Sequence, residues 1–160
     1  MIRNVHINDA QKLLDIYNYY VVNTVVTFDL EALSLDAFKE KITTISANYP
    51  FIVYEENNEI LGYAYGSKFR PKPAYNDTVE STIYLKHGEQ GKQIGSKLYG
   101  ELLSLLKLKH VHVVLGVLTL PNDASVKLHE KFGFKQVAHL KEVGLKFGNW
   151  QDVGFWQLTF

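Results

Sequence analysis

The sequence predicts an α/β protein, a layered mixed sheet with helices on both faces. Three observations lead there. Apolar periodicity switches between two and 3.6 residues in the order β-α-α-β-β-β-α-β-α-β-β. Residues 78–118 read as strand, glycine-rich loop, helix and strand, which is a right-handed parallel crossover. The 160 residues are 46% hydrophobic and 21% charged, a composition that supports one ordinary core. No repeat, low-complexity tract or linker-length Gly/Ser/Pro stretch interrupts the chain, so residues 1–160 read as a single domain.

Residues 2–7 alternate and read as a first strand. Asn8 or Asp9 can cap a helix over 10–22, with Leu13, Leu14, Ile16, Tyr17 and Tyr20 as its apolar stripe. Its β-branched and aromatic end weakens before Asn23-Thr24, and 25–28 is short and extended. Ser34 is a good N-cap for a second helix to 48, with Leu35, Phe38, Ile42 and Ile45 on one side and Pro50 beyond its end. Residues 51–55 and 60–69 read as antiparallel strands joined at Asn57-Asn58, a pair that tolerates left-handed backbone. Residues 70–75 hold two prolines, which remove ladder donors, so they form a loop. The strand 78–85 and its companion 111–118 flank a helix from Ile94 or Gly95 to about 109, with Leu98, Leu102, Leu105 and Leu106 inward. Pro121-Asn122 opens a turn into a shorter helix over about 124–132, closed by Gly133. Strands near 135–142 and 152–160 end the chain, separated by a glycine-rich, aromatic segment at 144–150.

Composition excludes several function classes. Seventeen Lys plus Arg balance seventeen Asp plus Glu, against a broad basic nucleic-acid face. The absence of cysteine removes disulfides, thiol nucleophiles and thiolate metal sites. His110 and His112 have no third ligand nearby, so no metal is expected. Neither Ser81 nor Ser125 sits in a nucleophile elbow. No signal-like N-terminus and no apolar run of membrane-spanning length occurs, so the expectation is a cytoplasmic protein with no membrane partner.

Three constellations carry chemistry. Gly88-Glu-Gln-Gly-Lys-Gln-Ile-Gly95 leads into a helix start, where free amide N–H groups suit a phosphate and Lys92 or Lys97 adds charge; alternatively, the glycines only join strand to helix. Glu80 lies mid-strand on one face with Thr78, Thr82 and Tyr84. It is either a general base with a raised pKa or a carboxylate solvated or paired with Arg70 or a lysine. His129 lies two helical turns beyond Asn122 and is either a proton donor or acceptor or a structural histidine. Ten Tyr, nine Phe and two Trp line a pocket or interface in part and otherwise pack the core.

Gln90-Gly-Lys-Gln-Ile-Gly95 followed by Ser96-Lys-Leu98, with the later Asn122-x-x-Ser125-x-x-Leu128-x-x-x-x-Gly133-Phe134, resembles the two cofactor segments of the GCN5-related N-acetyltransferases (GNAT). Further segments, in order, are similar to the phosphinothricin and methionine sulfone acetyltransferase branch: Ile16-Tyr-Asn18, Thr24-x-x-Thr27-Phe28, Gly62-Tyr-Ala-Tyr65, Ala74-Tyr75, Thr78-Val-Glu80, Leu120-Pro-Asn122, Leu128-His-Glu130 and Gly148-x-Trp150-x-Asp152-Val-Gly-Phe-Trp156. The likeness runs over practically the whole chain.

The resemblance implies a central, mixed, mostly antiparallel twisted sheet, splayed between its middle strands to admit acetyl-CoA. It implies direct transfer of the acetyl group to the primary amine of a small amino-acid analogue of the phosphinothricin, methionine sulfone or methionine sulfoximine type, in a ternary complex. Its alternatives are another small amine, such as a polyamine or ordinary amino acid, or a non-catalytic acyl-CoA sensor. By the same resemblance, Glu80 and His129 are catalytic: Glu80 is the base, and His129 stands near the cofactor sulfur, where it protonates the leaving thiolate or holds the site geometry. Backbone donors at Ile83, Tyr84 and Leu85 polarise the thioester carbonyl. The N–H groups from about Gly91 to Gly95 hold the pyrophosphate, with Gln90, Gly91, Lys92, Gln93, Ile94, Gly95 and Ser96 all in contact with the cofactor; Asn122 holds the pantetheine arm or a water, and Ser125 and His129 also meet the cofactor. Arg70 and Lys72 meet the acceptor's anionic group, with Phe28, Tyr63, Tyr75 and Trp150 as aromatic walls. A homodimer is expected, with the acceptor pocket close to the subunit contact. Two positions depart from the family pattern: Lys72 stands where the second arginine of an Arg-x-Arg pair often stands, and Gln93 where glycine is usual. Lys72 lacks the bidentate fork of arginine, and Gln93 is expected to be accommodated at the surface without a positive φ.

Overall fold

The computed structural model describes residues 1–160. Seven strands form one sheet in the order β1-β2-β3-β4-β5-β7-β6, comprising β1 (Ile2–Asn4), β2 (Phe51–Glu56), β3 (Glu59–Lys68), β4 (Thr78–Leu85), β5 (Val113–Leu120), β6 (Lys135–Lys146) and β7 (Asn149–Thr159). Four α-helices cover it: α1 (Ala10–Asn23), α2 (Leu35–Ser46), α3 (Ile94–Leu108) and α4 (Asp123–Lys131). Only β4 and β5 run parallel; every other neighbouring pair is antiparallel.

Strand alternation divides the interior into two cores. Ile52, Ala64, Val79 and Val114 face Leu98, Tyr99, Leu102 and Leu106 of α3. Phe51, Val53, Tyr63 and Tyr65 face Leu13, Tyr17, Phe38 and Ile42 of α1 and α2. Covered on both faces, β2 and β3 read as continuous apolar runs.

Local chemistry explains the element ends. Ser34 Oγ accepts from the Ala37 N–H and starts α2. Asn57 and Asn58 both adopt positive φ in the tight β2–β3 turn. Several boundaries differ from expectation. The first strand stops at Asn4, because a 3-10 turn at Ile7–Asp9 precedes α1. There the Asp9 carboxylate accepts from the His6 N–H and from Arg3, so neither Asn8 nor Asp9 caps α1 with its side chain. Residues 25–28 form no strand; 25–27 are bends. At the C-terminus, residues 144–150 do not separate the strands. Gly144 pairs with Gln151 and Leu145 with Trp150, and Phe147-Gly148 turns the chain with both φ positive.

Candidate active site

The parallel pairing of β4 with β5 stops early. It runs from Thr78↔Val113 to Ser81↔Gly116, after which β5 continues to pair only with β7. At the fork, Ser81 Oγ donates to the Leu115 carbonyl at 3.1 Å and accepts from the Tyr99 hydroxyl at 2.7 Å. Beyond it, the Leu85 carbonyl accepts the Tyr20 hydroxyl at 2.5 Å, while the Lys86 N–H returns to Leu61 of β3. By alternation, the amide edges of Ile83 and Leu85 face the gap between the parted strands.

Next to this gap is the start of α3. Gly88, Gly91 and Gln93 all adopt positive φ, and no side chain caps the helix, so its first amide N–H groups are free. Gln93 is exposed, as expected, but at φ 64 it is in the conformation that favours glycine, contrary to the expectation that no positive φ is needed there. Gln90 braces the loop, accepting from the Gly88 N–H and donating to the Tyr20 hydroxyl. A groove of about 510 Å³ runs past Gln90, Gly91, Gln93, Gly95 and Ser96, then along Ile83, Tyr84 and Leu85 to Asn122 and Ser125. Its cations are Lys127 and Lys131, one turn apart on α4, and Lys131 Nζ donates to Ser96 Oγ at 3.1 Å.

A second cavity, of about 290 Å³, opens at the fork and shares Ile83, Tyr84, Asn122 and Ser125 with the groove. Thr27, Phe28, Glu80, Ser81 and His129 line it. Burial pushes the Glu80 carboxyl above the usual range, and no lysine or arginine pairs with it. His129 is 2% exposed, its ring held between Tyr99 and Phe134. Its Nδ1 lies 2.7 Å from the Ser125 carbonyl, which can only accept, so Nδ1 carries the proton and Nε2 keeps its lone pair. Burial lowers the imidazole pKa and the bond to Ser125 opposes this, leaving the ring neutral near pH 7. Gly116 lies beneath the ring, where a Cβ would overlap it. Asn122 Oδ1 accepts from the Ser125 N–H at 3.2 Å and caps α4.

Comparison with known proteins accords with this geometry. Residues 2–154 match the acetyltransferase (GNAT) domain. The chain belongs to the GNAT acetyltransferase family. It is 38% identical over 153 residues to a phosphinothricin N-acetyltransferase of Streptomyces coelicolor, covering 93% of this chain and 90% of the relative. It is 33% identical to an L-methionine sulfoximine/L-methionine sulfone acetyltransferase of Salmonella typhimurium, covering 94% and 88%. A phosphinothricin acetyltransferase from Sinorhizobium meliloti, solved with acetyl-CoA, superposes with a TM-score of 0.97 at 31% identity, covering 100% of this chain and 88% of that one.

This GNAT acetyltransferase fits acetyl-CoA, the acetyl donor of the family, in its own features. It has free helix-start amides and two lysines for phosphates, and a partly apolar channel between the parted strands for a slender arm. Several expected site residues take other places. The Tyr63 side chain is 1% exposed and packs among Phe38, Phe51, Tyr65 and Tyr84, because its strand face points to α1 and α2; it belongs to the core. The Ile94 side chain is also core, and Ile94 is off the groove lining. Lys92 pairs with Glu89 at 2.9 Å, and Lys97 Nζ lies over Tyr54; neither lines the groove. Arg70 lies over Phe69 and Tyr75 on an exposed loop, and Arg70, Lys72, Tyr75 and the 61%-exposed Trp150 are all off the cleft lining.

The sequence reading missed Lys127, Lys131, Tyr20 and Thr27 as lining residues. The i, i+4 spacing of the two lysines on the predicted short helix was the available signal for the first pair. No helix of the protein is long and apolar enough to cross a membrane.

Proposed function

We propose that this acetyltransferase moves the acetyl group of acetyl-CoA directly to the primary amine of a small amino-acid analogue of the phosphinothricin, methionine sulfone or methionine sulfoximine type. The observation that carries the mechanism is Glu80, a half-buried carboxylate without a cation partner, on the wall of the cleft that adjoins the groove. Acetyl-CoA supplies an activated thioester when bound. Glu80 takes the proton that an acceptor ammonium must lose, directly or through water, and its raised pKa makes it the stronger base; as the nitrogen bonds to the acyl carbon the C–S bond breaks, and CoA leaves as a thiolate that takes up the second proton the nitrogen sheds. The free amide edges of Ile83 and Leu85 donate to the acyl oxygen. Asn122 and Ser125 hold the arm, and the amides from Gly91 to Gly95 hold the pyrophosphate together with Lys127 and Lys131. His129, neutral with an open Nε2, orients the reacting groups and accepts hydrogen bonds; the fixed Nδ1–H makes it a poor proton donor.

The relatives' substrates support an anionic acceptor, yet the cleft of one chain is lined by no lysine or arginine. We therefore propose that a second copy completes the pocket. It would cover the β6–β7 hairpin, whose exposed apolar side chains include Val143, Leu145, Phe147 and Trp150, and bring Arg70, Lys72, Tyr75 and Trp150 into use. The same lack of a cation favours a second reading, an acceptor without an anionic group.

Release of CoA thiol from acetyl-CoA across methionine sulfone, methionine sulfoximine, phosphinothricin, unmodified amino acids and polyamines tests the choice. Saturable release with the sulfone-like compounds supports the first reading, and preference for polyamines supports the second. Sedimentation tests the dimer: Leu145→Asp yields a monomer with a raised acceptor KM, and an unchanged KM in a monomer refutes the shared pocket.

A further inference from the structure

Outside the groove and cleft, the most unusual side chain is Lys146, the last residue of β6. It is 2% exposed between two exposed neighbours, Leu145 and Phe147. A lysine is seldom fully buried without a partner. Here Nζ donates to the Thr27 carbonyl at 2.8 Å and also lies 5.1 Å from the centre of the Phe147 ring. Gly144, two residues earlier and so on the same strand face, leaves room for the Phe28 ring where a side chain would stand. One face of β6 thus grips two consecutive residues of a segment 119 positions away in sequence. That segment, 24–34, contains no helix or strand and is tied down by side chains. Asn18 brackets Leu33 with two hydrogen bonds, and Tyr17 bonds Thr27 and Asp29. Thr27 and Phe28 are also part of the wall of the Glu80 cleft.

We propose that Lys146 is a positioning residue for the acceptor, holding Thr27 and Phe28 in place as the wall of the Glu80 cleft. The proposal rests on that cleft being the acceptor site. Asp29 lies near enough to favour the ammonium electrostatically, against the burial that lowers the lysine pKa. Lys146 lies off the lining of both cavities and acts through the segment it holds.

The test is Lys146→Met, which keeps the chain length and removes the donor, assayed with methionine sulfone. The KM for the acceptor rises about tenfold, the scale of one charge-assisted hydrogen bond. The dissociation constant of acetyl-CoA, measured by calorimetry, stays unchanged. In a Phe28→Ala background, Lys146→Met adds little further loss, because both act on one wall. Hydrogen exchange at amides 25–33 speeds up, while that of α3 does not. An unchanged KM, fully multiplicative effects or unchanged exchange at 25–33 each overturns the proposal. If Lys146→Met does not fold, Gly144→Ala displaces Phe28 from the same strand face and must raise the acceptor KM; an unchanged KM there is equally decisive. If the wild-type enzyme acetylates none of the panel, the acceptor reading fails, and the exchange measurement still decides whether Lys146 holds the segment.

Discussion

Gly116→Ala adds one methyl group at a crowded point in the protein. The new Cβ would overlap the His129 imidazole. The ring cannot simply swing aside, because Nδ1 is bonded to the Ser125 carbonyl at 2.7 Å and Tyr99 and Phe134 pack at 4.9 and 5.2 Å between ring centres. Overpacking of this kind costs roughly 1–3 kcal/mol, and a broken hydrogen bond adds about 1 kcal/mol. A total of about 2–4 kcal/mol corresponds to a fall in Tm of roughly 5–15 °C at this chain length. Scanning calorimetry with a urea titration measures it, and turnover should fall with it because His129 moves. The control is Gly116→Ala with His129→Ala. Removing the imidazole makes room for the methyl group, so the alanine at 116 should then cost far less than it does alone. Melting of the single variant within about 1 °C of wild type, or full additivity in the pair, would refute the account of His129 as a ring locked over Gly116.

Other outcomes follow from the same structure. Gln93→Gly relieves a left-handed side-chain residue; the gain of roughly 1–2 kcal/mol is partly offset by glycine's freedom in the unfolded chain, so the urea midpoint rises, and a fall would contradict the assignment. Lys131→Ala weakens acetyl-CoA binding about fivefold at low salt and less at high salt; calorimetry at two ionic strengths checks this, and equal losses at both would remove Lys131 from phosphate binding. Asp9 is held below the usual carboxylate range: burial works against this, but Arg3 and the His6 N–H prevail. Its pairing therefore contributes stability fully above about pH 4, and that contribution is lost as pH falls through the depressed value. Arg3→Met lowers Tm at pH 7 and converges with wild type in acid; a constant difference across pH would refute the pairing.

Residues with strong local signals were legible in the sequence. The strand at Thr78–Leu85, the Ser34 cap and the Asn57-Asn58 turn each follow from neighbours in the chain. The free helix start after the glycine loop was legible for the same reason. Less legible was which face of a doubly covered strand meets the cavity. Tyr63 looks like a pocket aromatic until the sheet shows its face packed under α1 and α2. The C-terminal hairpin is hidden in the sequence because glycine and aromatic residues at 144–150 resemble a loop, whereas two left-handed residues suffice to turn the chain. The grip of Lys146 on Thr27 joins residues 119 positions apart, and no local pattern encodes such a contact.

The pH dependence of kcat/KM for methionine sulfone, in wild type and Glu80→Gln, tests the central claim most directly. A base whose pKa is raised by burial loses activity as pH falls through that raised value, so the wild-type profile should drop on its acidic side above the usual glutamate range. In Glu80→Gln that limb should disappear and turnover fall about 100-fold or more, with acetyl-CoA affinity retained. An identical acidic limb in the variant, at undiminished turnover, would show that Glu80 is not the base.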